Sequence, residues 1–549
     1  MSVNDEKPQS VDVGVSDPSP PAEATEGDGA LSPTQYIHGL KLLLVFSALL
    51  LTIFLVNLDQ TIVATALPRI VSDFNALDLA TWVATAYLLT DAGFMLTISQ
   101  LLNVASVKIV YLSAILLFEI GSVICGAAPF MEVLIFGRAI AGLGAAGITI
   151  CAIATIAQFT PLDKRPILFA LFGADLAVAS IVGPLLGGAF TDHVSWRWCF
   201  YINLPFGGIA AFAILIWLPY QKGVTQEGLS GNYVQRLARA LDWIGTVLCL
   251  GLATTLLLAL QWGGTTKPWS SPTIIVLFVV FGALLVLFVA WEAYLGPRAL
   301  LPFRIMGRRT QIGSCLESFW LLLCMIVAIY YLPFWYQING RTAIQSGIDI
   351  LPFMLTFVIS AGFASGIAYA TGRYWHLLFV APFLAAVGGG LWYTADASSS
   401  SAKLIGYQII LGVGIGASFQ TTYVAVQADW ADDPEKTTHA SGILTFISFF
   451  GGILGIGMAG AIFNNRLSLE LAKNVPSLPQ NLATMVKESV TVISTLPEEF
   501  RGQVVDAAIT SLSPVFLILV AAAILASVFS TLIVNHDLKT RAITGAAIG

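Results

Sequence analysis

From residue 42 onward the chain alternates long apolar runs with short polar connectors, and each run is as long as a membrane crossing. A helix needs about 20 apolar residues to cross roughly 30 Å of hydrocarbon. Such runs fall at 42–65, 82–102, 109–128, 132–157, 166–189, 199–220, 242–262, 273–294, 311–335, 346–370, 375–395, 403–427, 440–463 and 512–534. Fourteen transmembrane helices and an all-α polytopic membrane protein are therefore expected. A polar connector separates the sixth and seventh runs, and a long loop at about 464–511 separates the last two. Part of that loop, LATMVKESVTVISTL, has amphipathic spacing.

Composition agrees with the pattern. Of the 549 residues 57% are hydrophobic and 11% charged, against about 25% charged in an ordinary soluble domain. The mean hydropathy of +0.82 leaves more apolar surface than a soluble core can hide. The net charge of −6 changes little, because much of the acid sits in the first ~38 residues, a Pro-, Ser-, Glu- and Asp-rich stretch expected to be disordered. That stretch has no secretory n-region, h-region and cleavage site, so the first span is expected to be its own uncleaved signal. Nothing in the charge pattern suits nucleic acid. The six cysteines fall in or beside apolar runs without CxxC or His/Cys spacing, so they read as packing residues, with neither a disulfide framework nor a metal site expected.

Lysine and arginine set the orientation. One set of alternating connectors holds fifteen of them, among them Lys41, Lys108, Lys164, Arg165, Arg308, Arg309 and Arg373. The short connectors of the other set hold five, Arg69, Arg197, Lys267, Arg341 and Lys403. An even number of spans with this bias predicts cytoplasmic N- and C-termini.

Ionisable residues inside the runs carry the functional signal, because such groups in a membrane usually face a wet cavity or a bundle interior. They are Asp59, Asp91, Glu119, Arg138, Asp175 and Glu317. Asp59 lies six residues before the expected end of its run and Arg138 six after the start of its own, which puts both ~9 Å deep. They can pair; alternatively Arg138 snorkels outward and Asp59 merely fixes a helix end. Proton coupling needs a carboxyl that changes protonation, and several acids qualify. The five histidines lie in loops, tails or span ends, so a mid-membrane histidine relay is not expected. GPLLGGAF (183–190) adds a proline and three glycines, suited to a close helix interface. Gln337, Gln420 and Gln427 are candidate polar substrate contacts, with Glu317. No G-x-x-x-x-G-K-[ST] phosphate loop and no catalytic constellation is present, so transport would draw on an ion gradient rather than on a cofactor.

Several motifs together resemble one family. LDQTIVATALPRI (58–70) resembles the span-1 signature of drug:proton antiporters of the major facilitator superfamily, and FGRAIAGLGAAG (136–147) their span-4 motif. GPLLGG and WRWCFYINLPFGG (196–208) are similar to the antiporter motif and the segment after it. LALQWGG (258–264), YYLPFWYQ (330–337) and SGIDILP (346–352) resemble the fungal 14-span branch. The resemblance implies a six-helix bundle at 41–220 and another at 311–535, which includes the 464–511 loop. Connectors and two extra spans (221–310) lie between them, and cytoplasmic tails occupy 1–40 and 536–549. It implies proton-coupled export of a small amphiphilic organic compound by alternating access between the bundles, by a monomer, most naturally at the plasma membrane and otherwise at a vacuolar or endosomal one. Asp59, Arg138, Asp91, Glu119 and Asp175 would serve coupling and gating, and Gly183, Pro184, Gly187 and Gly188 the hinge. A proton-driven importer, such as a siderophore or vacuolar carrier, and a non-transporting sensor are the rival readings.

Two departures stand out. The loop between spans 2 and 3, SQLLNVASVK (99–108), keeps only Lys108 of the family's charged pattern and has Asn103 in place of its acid. Its weaker echo, GIAYATGR (366–373), also lacks the acid. Ala170 and Ala179 stand where the antiporter motif has earlier glycines, with Asp175 an unusual charge beside them.

Overall fold

The computed structural model describes residues 36–76, 79–221, 241–264, 267–479 and 496–540, with a few positions between 482 and 493. The expected disordered tail, the connector at 222–240 and the terminal stretch at 541–549 lie outside the described residues.

The long helices, in chain order, are α1 (Gly39–Phe74), α2 (Ala80–Leu101), α3 (Val107–Ala127), α4 (Met131–Phe159), α5 (Arg165–His193), α6 (Trp198–Trp217, interrupted at Ile202) and α7 (Trp243–Trp262). Then come α8 (Pro272–Leu295), α9 (Arg309–Ile338), α10 (Leu351–Thr371), α11 (Trp375–Tyr393), α12 (Ser401–Asp429), α13 (Pro434–Asn474) and α14 (Glu498–Ser530). Local chemistry marks their ends. Pro166, Pro272, Pro352 and Pro434 occupy first-turn positions, where a missing N–H costs nothing. Asp242 accepts from the Gly245 N–H at 2.8 Å to cap α7. Gly372, at φ 74°, closes α10 in the left-handed conformation that glycine adopts freely.

Thirteen of the described helices are long and apolar enough to cross a membrane. The remaining one, α2, has 22 residues and the place of the second expected span. Its four threonines, Asp91, Ser99 and Gln100 lower its hydropathy. It keeps a full crossing length of ~33 Å.

The helices pack as two groups. In the first, α4 lies against α2 and α3, and α1 against α5 and α6; in the second, α9 lies against α13 and α14, α12 against α10 and α11. Added to these, α7 sits on α2, and α8 sits on α7. Burial separates their roles. The most apolar stretch of α8 is only 11% buried, so it faces lipid almost all round, whereas in α4 and α12 the share is 78%. Glycine explains how α4 fits between its neighbours: a Cβ on Gly144 would stand 2.7 Å from the Phe118 Cα of α3.

Three boundaries correct the sequence reading. Helix α1 runs nine residues past 65, α13 continues to Asn474, and α14 starts at Glu498, so both ends of the expected 464–511 loop are helical. Hydropathy reports the thickness of the hydrocarbon, and these helices continue into water. The α1 extension carries an Arg69–Asp73 i,i+4 ion pair at 3.1 Å. Of the amphipathic segment, Val486, Ile493 and Leu496 pack into the hydrophobic core beneath them.

Candidate functional site

Five of the first six helices converge on Arg138. Its Nη1 donates to Asp59 Oδ2 of α1, with both side chains buried. Its Nε donates to the Val83 carbonyl of α2 at 3.0 Å, and the guanidinium lies 4.2 Å above the Tyr87 ring. Asn203 of α6 completes the arrangement, donating to Asp59 Oδ1 at 3.4 Å and to Ser122 Oγ of α3 at 3.0 Å. A cation at this depth is tolerable because charge, carbonyl and aromatic face replace its water.

Two further acids border the pair. Glu119 of α3 fills the space left by the missing side chain of Gly207, its Cδ 2.7 Å from where a Cβ would lie, and neither carboxyl oxygen has a hydrogen-bond partner. Asp91, one helical turn beyond Tyr87 on α2, is buried with Oδ1 unpartnered. The region thus holds one fixed cation and three carboxyls, more acid than the cation balances.

Asp175 lies elsewhere. It accepts from Asn57 Nδ2 at 3.3 Å, on the face of α1 turned away from Asp59, and is half-buried. Its neighbours on α5 reach the second bundle: Leu176 and Ala177 join that bundle's core, and Gly173 abuts Phe357 of α10 and Gln420 of α12. An aromatic stack of Phe169 on Tyr423, 5.3 Å between centroids, continues this seam.

The antiporter glycines divide by face. Gly183 and Gly187 meet α1, where Thr61 Oγ1 also donates to the Ala179 carbonyl at 3.0 Å. Gly188 has open space where its Cβ would be, so it takes no part in this contact. Pro184 lies inside α5.

The four substrate candidates of the second half do not form one site. Glu317 and Gln337 share α9 but lie 20 residues apart, ~30 Å along the axis. Gln337 donates to Ser346 Oγ at 3.0 Å at one end of the bundle, while Gln427 sits at the other. Of the four, only Gln420 abuts the α5 seam that holds Asp175.

Gln427 belongs to a seal. Buried Arg165 at the start of α5 donates to Gln427 Oε1 of α12 at 3.1 Å, to the Ala157 carbonyl at 2.6 Å and to the Thr160 carbonyl at 3.0 Å. At the same end Ser365 of α10 donates to the Pro166 carbonyl at 2.8 Å, and Gln158 of α4 donates to Thr438 Oγ1 of α13 at 3.4 Å. Asn103, the residue standing for the family's acid, meets His439 Nδ1 at 3.5 Å. A neutral contact therefore closes the 2–3 loop against the second bundle. The captured state is shut at this end. Arg165→Ala is expected to loosen it. In a background lacking native cysteines, Ala440→Cys should then react several-fold faster with a water-soluble maleimide, and unchanged reactivity would remove Arg165 from the seal.

Sequence reasoning missed Asn203 and Arg165 as site residues. Asn203 passed unremarked inside the WRWCFYINLPFGG motif, and Arg165 was absorbed into the count of cytoplasmic charges.

Comparison with known proteins gives the family. A profile of the Major Facilitator Superfamily covers residues 49–456. The chain is 40% identical to the MFS-type transporter astH of Aspergillus oryzae, over 92% of this chain and 89% of the relative. It is 39% identical to the efflux pump bfoC of Aspergillus brasiliensis, over 87% and 83%. For the efflux pump aflT of Aspergillus parasiticus the identity is 39%, over 81% and 86%. The fold resembles the crystal structure of the human organic anion transporter MFSD10 (TETRAN), with a TM-score of 0.54 at 15% identity, over 88% of this chain and all of that one. A multi-pass membrane protein with this helix order, this buried pair and these relatives belongs to the major facilitator superfamily of transporters.

Proposed function

We propose that the chain is a proton-driven exporter of an amphiphilic organic compound, a toxin, secondary metabolite or drug, working as a monomer by alternating access. The observation that carries the reading is the buried Arg138–Asp59 pair bordered by two acids that lack partners. A buried carboxyl without a counter-ion is far cheaper neutral than charged, so Glu119 and Asp91 can hold protons that the fixed pair cannot. Similarity to fungal efflux pumps supports the direction of transport. The Lys/Arg bias supports cytoplasmic termini, which makes the sealed Arg165 end the inner one and the captured state closed to the cytoplasm. The bundles at 41–220 and 311–535 would rock about the α5–α10 and α2–α13 contacts. The plasma membrane suits an exporter best; a vacuolar membrane would serve sequestration.

Energetics permit this. One proton crossing 100 mV supplies about 2.3 kcal/mol, which biases export more than tenfold before any pH difference. The test uses sealed inside-out vesicles, acid inside, screened with hydrophobic dyes and fungal metabolite extracts. Protonophore-sensitive uptake supports proton-coupled export. Uptake only when the gradient is reversed would favour the importer.

The α5 seam is the proposed substrate wall, where Asp175 and Gln420 offer polar contacts among Phe169, Phe357 and Tyr423. Asp175→Asn should change the range of compounds carried, most for those bearing a basic nitrogen or hydroxyl. An unaltered profile across the panel would reduce Asp175 to a structural partner of Asn57.

A further inference from the structure

Glu317 is wholly buried in the second bundle, and neither of its carboxyl oxygens has a hydrogen-bond partner. Neither oxygen bonds to a residue of the α5 seam, so Glu317 is poorly placed to hold a substrate. Its surroundings are polar but uncharged. Ser314, one turn earlier on α9, is buried with its hydroxyl unpartnered. On antiparallel α14, Gly313 packs against the Phe529 carbonyl, and Cys324 Sγ donates to the Leu519 carbonyl at 3.6 Å. Between those two fixed points the level of Glu317 falls near Ser527, whose hydroxyl is also buried and unpartnered. On the α13 side Ser318 and Ser448 share a hydrogen bond of 2.5 Å, and Gln311 donates to the Ala440 carbonyl at 3.0 Å.

The helices packed against this part of α9 offer no countercharge. Tyr423 is the one titratable residue of α12 between Gly412 and Val426. There is none on α13 from Ala440 to Leu454 or on α14 from Ser513 to Ser530. On α9 itself the other titratable neighbours are Cys315 and Cys324. An ionised carboxylate stripped of water with no partner costs at least several kcal/mol. In this closed state Glu317 is therefore a neutral acid carrying its proton.

Its position adds a route for release. Glu317 lies eight residues from the start of α9, ~12 Å along the helix. That start carries Arg308, paired with Asp429 at 3.2 Å, at the same end of the molecule as the Arg165–Gln427 seal. Opening the seal would bring water within about two turns of a carboxyl that is now dry. The solvated carboxylate would then be stable, and its proton would leave to water at that end.

We infer that Glu317 is a proton-binding site of the second bundle, separate from the Arg138–Asp59 region, loaded while the Arg165 end is shut and unloaded when it opens. This rests on the proton-coupling reading and adds a second site to it. The balance is simple: one O–H bond of the carboxylic acid breaks, and a water at the opened face takes the proton.

Infrared difference spectroscopy on the full chain in lipid tests this without a known substrate. A protonated-carboxyl C=O band should vanish in Glu317→Gln and move in frequency in Glu317→Asp, which also checks that the fold survives the change. On transfer to D2O the band should shift slowly in the native protein and about tenfold faster in Arg165→Ala, whose seal lacks a charge-assisted hydrogen bond. Absence of any protonated band assignable to Glu317 overturns the inference. So does a band that exchanges at the same rate in both proteins, since that acid does not answer to the gate. Protonophore-insensitive uptake in the vesicle assay would instead remove the coupling reading and leave the band in place, so the two failures are distinguishable.

Discussion

Arg138→Ala is expected to abolish gradient-driven transport while the protein still reaches the membrane. The guanidinium holds α1 through Asp59, holds α2 through the Val83 carbonyl, and lies on Tyr87. Its removal leaves Asp59 buried with Asn203 as its remaining partner. Leaving half of a buried ion pair costs about 3–5 kcal/mol, and the cheapest relief is for Asp59 to take up a proton. A permanently protonated Asp59 cannot respond to the gradient, so uptake into acid-inside vesicles should fall to the protonophore background. Arg138→Lys keeps the charge but loses the planar stack and the second donor direction, and is expected to fall between the two. Size-exclusion profiles of both variants establish that loss of transport is not loss of fold. Wild-type uptake by a folded Arg138→Ala protein would sink the coupling role.

The second large effect is steric. A Cβ at Gly187 would stand 2.5 Å from the Ile62 carbonyl and closer still to Thr65 Oγ1. Ile62 is backbone and cannot swing away. Gly187→Val therefore has to separate α5 from α1 along a seam that Thr61 also ties to Ala179. Overpacking of this kind costs about 1–3 kcal/mol. We expect transport to drop at least tenfold and the melting temperature in detergent to fall by several degrees. Gly188→Val, one residue on, meets open space and should stay near the native values in both measurements. Equal behaviour of the two variants would mean that the contact between α5 and α1 is not what the glycines provide.

The contrast between Gly187 and Gly188 shows how far a motif can be read. GPLLGG marks a close helix approach, and that much was legible. Which glycine meets the partner depends on the rotation of α5, which no short motif specifies. Burial of Arg138 among glycines was legible too, and so was a matching acid in span 1. The depth estimate for Asp59 used a helix end at 65, whereas α1 runs on to Phe74. The pair forms anyway, because side-chain reach and the placing of α4 between α2 and α3 bring the charges together.

The glutamines give the opposite lesson. Gln337, Gln420 and Gln427 looked alike as isolated polar residues in apolar runs, yet they lie at one end, in the seam and in the seal. Asn203 was one unremarked letter of a motif and Arg165 one more charge in an orientation count, yet each holds several helices together.

The sequence by itself determined the all-α membrane class, the number and order of the helices and the family, because each rests on local composition or on contiguous motifs. Hydropathy measures the cost of placing a segment in hydrocarbon, and that cost is paid residue by residue. Only the tertiary structure decided which acids are paired and which stand alone, which end is shut, where α1 and α13 stop and where α14 starts. Those outcomes depend on helix rotation and on contacts between residues far apart in the chain, 262 positions in the Arg165–Gln427 bond and 336 in the Asn103–His439 contact. Such contacts are set by the packing of whole helices against one another, and no single segment carries that information.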